Sequence, residues 1–311
     1  MKKFFRNLML FGVATAMFAA CGDEPEVTKK DENPNGTSSN GALTKGAFTV
    51  AQGKQVYFSQ GNLQYQASTN TWRFAENQYD VIGKLNVNIS ETYDGWIDLF
   101  GWATSGYNGM HPYMTSTDDR DYLEGELMEN PNYYYIYEEG ETNIAGTNYD
   151  WGINNKISNG GDHAGMWRTL TDEEWNYLIE KRPHSNNLYS RGCVDGINGM
   201  ILLPDDWVQP NGSSFTPEGE DNDFKTNDYT TKEWAKMEAN GAVFLPAAGY
   251  RSGTYVERVG SIGLYWSTLG YIVNDYHMAK HLSIGKIYSD EKRYISDRSN
   301  GESVRLVQDV K

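Results

Sequence analysis

Cysteine is scarce in this chain: Cys21 and Cys193 are the two among 311 residues. Cys21 ends an N-terminal apolar run and Cys193 stands alone in the remainder, so the fold must hold by its core and not by a disulfide. Basic charge is also in short supply, with 27 Lys and Arg against 42 Asp and Glu and a formal net charge of −15. Phosphate backbones demand a basic face, which excludes nucleic acid as a partner, while acidity serves solubility. The apolar run at 8–20 falls short of the roughly 20 residues that cross a bilayer as a helix. No Gly-x-Ser-x-Gly elbow is present, and Gly160-Gly161-Asp162-His163-Ala164-Gly165 lacks the Lys that would reach a phosphate. Histidines are few and dispersed. His277 and His281 are four apart without an intervening Glu, in a segment that reads as strand, so no metal site is expected.

Aromatics are plentiful: 9 Trp, 22 Tyr and 11 Phe can supply the core of one domain of this length. The leader is set aside first. Lys2, Lys3 and Arg6 precede the apolar run, which ends in Phe18-Ala19-Ala20-Cys21. That ending resembles a bacterial lipobox, with Phe18 departing from the usual aliphatic residue. The expectation is a signal peptide over 1–20 and a lipidated Cys21 that holds the protein on a membrane without a spanning helix. Residues 22–41 are Pro, Gly, Asn, Ser and charge, so 21–45 reads as a flexible tether. Asp23-Glu24 with Glu26 resembles the export signal that carries lipoproteins of Bacteroides-like bacteria to the cell surface, although an ordinary solvated linker has the same composition. The expected location is the outer membrane, exposed at the surface.

A single domain is expected over 46–308, with acidic insertions near 118–141 and 211–229. Phe48-Thr49-Val50, Gln55-Val56-Tyr57-Phe58 and Asn62-Leu63-Gln64-Tyr65-Gln66 read as strands, the last forming a hairpin with Thr71-Trp72-Arg73-Phe74 that buries one face. Residues 83–109, rich in Gly, Asn, Asp and aromatics, read as an irregular packed region. Thr171-Asp172-Glu173-Glu174 and Thr230-Thr231-Lys232-Glu233 are capping boxes, each opening a helix; Pro183 stops the first and Gly241 follows the second. Apolar runs at 200–203, 242–245, 264–268, 279–284 and 303–308 are the remaining strands. Few helices, many short strands and long loops predict an α+β domain with mainly antiparallel pairing.

Met166-Trp167-Arg168-Thr169-Leu170-Thr171-Asp172-Glu173-Glu174-Trp175-Asn176-Tyr177-Leu178 resembles the W-R-L-x-T-x-x-E-W-x-Y helix motif of the formylglycine-generating-enzyme-like branch of the C-type lectin fold. Tyr265-Trp266-Ser267-Thr268, then Ala279, Leu282 and Ile284, then Arg298, Gly301 and Ser303-Val304-Arg305-Leu306-Val307 have a spacing similar to the Fibrobacter succinogenes major paralogous domain family. The lectin-fold variable proteins of diversity-generating retroelements have a similar pattern, and residues 56–113 are similar to the N-terminal half of surface lipoproteins in Bacteroides-like bacteria. The match spans most of 46–308. It implies a C-type lectin-like fold with two main helices and long loops, whose C-terminal strands and loops display a ligand surface. Catalysis in the formylglycine-generating branch depends on a cysteine pair; with Cys193 alone, no catalytic residue is carried over.

The displayed surface expected from residues 271–297 comprises Tyr271, Asn274, Asp275, Tyr276, His277, Tyr288, Asp290 and Tyr294. The cluster Tyr133-Tyr134-Tyr135-Ile136-Tyr137 could bind sugars or partners, or pack as a loop on its own rings. Gln209-Pro210-Asn211 is a look-alike of the lectin Ca²⁺ triplet, but Val273-Asn274-Asp275 lacks the accompanying Trp, and the acidic loop 218–223 fails the EF-hand pattern. No cofactor is therefore expected, and Ca²⁺ has only the weak support of these look-alikes. Carboxylates are too numerous for a glycosidase pair to stand out. The function expected is binding of a protein or glycan ligand. A structural or tip component of an adhesin or pilus assembly is the alternative, followed by an enzyme acting on carbohydrate or protein.

Overall fold

The structure, a computed structural model, describes residues 37–88, 90–113, 140–273, 276–285 and 293–311, all within one compact unit. The expected lipidation site at Cys21 and the tyrosine cluster at 133–137 lie outside the described residues. Strands β1 (Phe48–Ala51) and β2 (Lys54–Phe58) open the fold, followed by β3 (Leu63–Gln66) and β4 (Thr71–Phe74). β5 (Gly140–Asn143) and β6 (Arg168–Thr169) precede β7 (Tyr189–Val194), β8 (Ile197–Leu202), β9 (Asp228–Tyr229) and β10 (Val243–Pro246). A small hairpin, β11 (Tyr250–Ser252) with β12 (Tyr255–Glu257), leads into the long pair β13 (Gly263–Val273) and β14 (Tyr276–Ile284). β15 (Arg293–Asp297) and β16 (Leu306–Asp309) close the chain.

Three sheets of four strands carry the fold, in the orders β1-β2-β16-β6, β10-β8-β7-β9 and β15-β14-β13-β5. Among the described strands, pairing is antiparallel except between β7 and β9, and the class is α+β. The first sheet brings the first and last described strands together, with Phe58 opposite Val307 and Tyr57 opposite Gln308. The fold also begins earlier than composition implies. Ala42 and Leu43, inside the stretch expected as tether, are buried, and Leu43 N donates to Phe58 O at 2.9 Å.

Both capping boxes form. Thr171 Oγ1 accepts from Glu174 N at 3.2 Å while Glu174 Oε2 accepts from Thr171 N at 3.0 Å. The same carboxylate pairs with Arg168 on β6 at 2.6 Å and with Lys54 on β2 at 2.8 Å, tying the helix to the terminal sheet. The helix Asp172–Asn176 widens into a π-turn, Tyr177–Lys181, before Pro183. Trp175, Leu178 and Ile179 pack against Phe48, Phe58, Tyr265 and Leu282 in one apolar cluster. The second capped helix, Thr231–Glu238, places Trp234 and Met237 against Phe244. Its C-terminus is released at Gly241, whose φ of 94° a Cβ would strain.

The β3–β4 hairpin buries the face of Leu63, Tyr65, Trp72 and Phe74, as expected, and leaves Gln66, Thr71 and Arg73 on the other face half-buried. Gln64 is buried alongside Leu63 and Tyr65, its Oε1 accepting from Arg73 Nε at 2.9 Å. What covers it includes the segment that the sequence marks as irregular. Ile97 exchanges backbone hydrogen bonds with Tyr65, Phe100 exchanges them with Glu302, and Trp102 N donates to Arg298 O. This segment is a strand-like strut without a regular sheet.

Asp98 anchors the strut. Its carboxylate accepts from Ile82 N at 3.0 Å and Asn86 Nδ2 at 2.8 Å, while Asn86 Oδ1 accepts from Asp98 N at 2.8 Å and Leu99 N at 3.1 Å. Burial outweighs these donors and pushes the Asp98 pKa up from 3.8 to about 6. A raised folded-state value means that protonation favours the fold; that contribution is complete below the unfolded value and is lost as pH rises through the folded one. Relative to Asp98→Asn, which does not titrate, the native chain is expected to lose up to about 3 kcal/mol between about pH 4 and pH 7, read from urea unfolding at a series of pH values. A stability difference that does not vary with pH would refute this.

Candidate functional site

The long pair β13/β14 has a rooted end and a projecting end. At the root, Leu264, Tyr265, Trp266, Leu282 and Ile284 are buried, and β13 exchanges hydrogen bonds with the returning chain: Ser303 N donates to Leu264 O at 2.9 Å and Trp266 N to Ser303 O at 3.1 Å. Beyond it the register slips. Trp266 opposes His281 and Gly270 opposes Ala279, so Ser267, Thr268 and Leu269 stand across from Lys280 alone. The bulge moves the free edge of β13 from residue 303 to β5, where Leu269 opposes Asn143 and Tyr271 opposes Glu141.

Strand alternation then sorts the side chains. Tyr271 and Met278 oppose each other and are partly exposed, and Met278 opposes Asp297 on β15. Lys280 opposes the exposed Ile295, and its Nζ lies 3.1 Å from Asp172 Oδ2 at the start of the first capped helix. Burial pushes the Tyr271 hydroxyl above its ordinary pKa, with Lys280 lowering it and Asp172 raising it, so the ring lies within electrostatic reach of that ion pair. Tyr271, Met278, Lys280, Ile295 and Asp297 thus form one mixed outer face.

His277 turns the other way. It was expected on the display surface, but it is 3 % exposed and shares the inner face with Ala279 and His281, as a period of two requires. His281 Nδ1 lies 2.9 Å from Glu302 Oε2 and 3.2 Å from Ser296 Oγ, beside the Trp266 ring. Asn274, Asp275, Tyr288 and Asp290 lie outside the described residues. For Tyr276 and Tyr294 the strand position alone is described, opposite Val273 and His281 respectively.

The inner face is closed by groups that sequence reading did not join to it. Trp102 Nε1 donates to Ser267 O at 2.9 Å, in the bulge, and Trp266 Nε1 donates to Phe100 O at 2.6 Å. The Arg298 guanidinium lies 4.6 Å over the Trp102 ring while its Nε donates to Met278 O at 3.0 Å. A Trp in an irregular region carries no periodic signal, so Trp102 could be read as core but not placed. Arg298 was expected as scaffold and is buried.

The remaining sequence candidates are committed to the protein's own structure. Gln209 Nε2 donates to Ser213 Oγ at 2.5 Å, and Glu218 takes the Arg191 guanidinium at 2.6 Å. Cys193 is buried on β7, with its thiol pKa pushed up by burial and then by Asp228. Among the described residues, no group of three or more His, Cys, Asp or Glu could hold a metal ion, and no helix is long and apolar enough to cross a membrane. The chain matches no protein-family model, no curated protein and no solved structure.

The closeness of the inner face gives a direct test. A methyl group added at Gly270 would lie 2.8 Å from Arg298 Nη2 and 2.9 Å from Trp102 Cη2. Gly270→Ala is expected to cost about 1–3 kcal/mol of stability through this overpacking. An unfolding midpoint equal to that of the native chain would show that the sheet does not depend on the clamp.

Proposed function

We propose that this chain is a lipid-anchored outer-membrane protein, exposed at the cell surface, whose C-type lectin-like domain binds a protein or glycan through the outer face of β13, β14 and β15. The observation that carries the reading is the division of β13/β14 into a rooted end and a projecting end. A rigid base with a mixed row of Tyr271, Met278, Lys280 and Ile295 suits recognition, because little side-chain freedom is lost when a held surface meets its ligand. The lectin-like reading is supported by the first and last described strands meeting in one sheet and by the capped helix at Thr171 beside that sheet. Tyr276, at an outer position of β14, extends the proposed face, to which the sequence adds Asn274, Asp275, Tyr288 and Asp290; the register puts the Tyr294 position opposite His281 instead.

A component of a surface adhesin or pilus assembly is the second reading. It is favoured by exposed apolar side chains at Leu85, Val87, Tyr255 and Val259, on a turn and a hairpin that pack together. Binding by the purified full chain to a glycan array, and pull-down from cell-surface extracts, separates the two. The C-terminal face predicts that Tyr271→Ala weakens the detected interaction about tenfold or more. Signals unchanged by Tyr271→Ala together with Tyr276→Ala refute that face, and a stoichiometric partner that survives both replacements supports the assembly reading.

The anchor rests on Phe18-Ala19-Ala20-Cys21. Cells fed labelled palmitate are expected to label the native chain, and Cys21→Ser is expected to remove the label and release the protein from the membrane fraction. Label retained by the variant would place the lipid elsewhere.

A further inference from the structure

A cleft of about 450 Å³ opens between the β3–β4 hairpin and the turns at 105–113, and no residue of β13, β14 or β15 lines it. Its volume lies within the roughly 300–1,000 Å³ typical of small-molecule sites. One wall carries a flat aromatic slab: the His111 and Tyr113 rings stack with centroids 5.2 Å apart and planes 7° from parallel. Such a slab offers an extended face to the C–H surface of a sugar ring at little conformational cost.

The polar groups around it are held in fixed orientations. Asn154 Nδ2 and Asn155 Nδ2 both donate to Ser105 O, at 3.1 and 2.8 Å, and Asn155 Nδ2 also reaches Trp151 O at 3.1 Å. With both amide nitrogens used by the backbone, the side-chain carbonyls are preset as acceptors, Asn155 Oδ1 already taking Asn154 Nδ2 at 3.5 Å. Tyr65 donates to Asn70 Oδ1 at 3.0 Å, and burial followed by the nearby Tyr113 holds its pKa up at about 12. Burial and the Glu91 carboxylate likewise push Tyr113 up, so both phenols keep their protons at neutral pH. Thr92 and Glu91 complete an exposed rim, and among the described residues the lining contains neither Lys nor Arg.

We infer that this cleft is a binding site for a neutral oligosaccharide, held by the His111/Tyr113 slab, the Asn154 and Asn155 carbonyls and the Glu91 carboxylate. Acceptors set around a planar apolar surface match the hydroxyl donors of a polyhydroxylated ring. The missing basic side chains argue against phosphorylated, sulfated or carboxylated sugars, whose charge would find no partner. The site is separate from the β13–β15 face and does not depend on it.

The test uses the purified full chain in detergent, titrated calorimetrically with maltotriose, mannotriose, triacetylchitotriose and a sulfated trisaccharide as the charged comparison. Saturable binding of at least one neutral trisaccharide, with the sulfated one bound more weakly, is expected. Tyr113→Ala is expected to weaken binding about tenfold and Tyr113→Phe to retain most of it, since the ring supplies the contact. Thr92→Trp at the exposed rim fills the cleft without entering the core and is expected to abolish binding, which keeps the test decisive if Tyr113→Ala unfolds. No binding by any neutral trisaccharide, equal binding of the sulfated one, or full binding by Thr92→Trp would each overturn the inference.

Discussion

The hydrogen bond from the Trp102 indole to the carbonyl of Ser267 is the contact on which the other parts of the molecule converge. Through it an N-terminal strut grips the bulge in β13, and the Trp102 amide grips the returning chain at Arg298. The ring meanwhile carries the Arg298 guanidinium. Three stretches far apart in sequence are therefore held by one side chain. In a domain without a disulfide, close packing of this kind has to hold segments that carry no regular ladder.

An acidic protein has also buried four arginines. Arg182, Arg251, Arg298 and Arg305 are each 3 % exposed or less. Burial lowers the Arg305 pKa to about 10, which leaves it charged at neutral pH. Its Nη1 and Nη2 donate to neutral acceptors, Gln78 Oε1 at 2.8 Å, Phe244 O at 3.3 Å and Asn62 Oδ1 at 3.4 Å, while its buried Nε has no hydrogen-bond partner. A guanidinium presents five N–H groups in a rigid fork, so it can join several elements where a lysine could not. Arg182 does similar work, with Asp205 at 3.2 Å and Leu188 O at 3.2 Å.

What could be read from the sequence was local. Thr171 with Glu174 and Thr230 with Glu233 announce their helices because a capping box is complete within four residues. The β3–β4 hairpin and the apolar cores of β8, β10, β13, β14 and β16 were legible from short apolar runs. β5, β11, β12 and β15 were not, since Gly140–Asn143 and Arg293–Asp297 are polar and take strand form from their partners. The display face was legible in part: Tyr271 lies on the outer surface, and His277 does not. Alternation could have assigned His277 inward with His281, but only once Met278 was known to face out. The saccharide cleft was invisible because Tyr65, Glu91, His111 and Asn154 come from four separate stretches, none with a motif of its own.

The pairing of β16 with β2 dictates an order of assembly. Ser59 N donates to Leu306 O and Leu63 N to Val304 O, both at 2.9 Å. Until residues 304–309 are available, β2 and the entry to β3 have no partner on that side. The sheet therefore forms by closing a loop of about 250 residues, a step whose entropic cost grows only slowly with loop length but which makes this pairing a late event in folding.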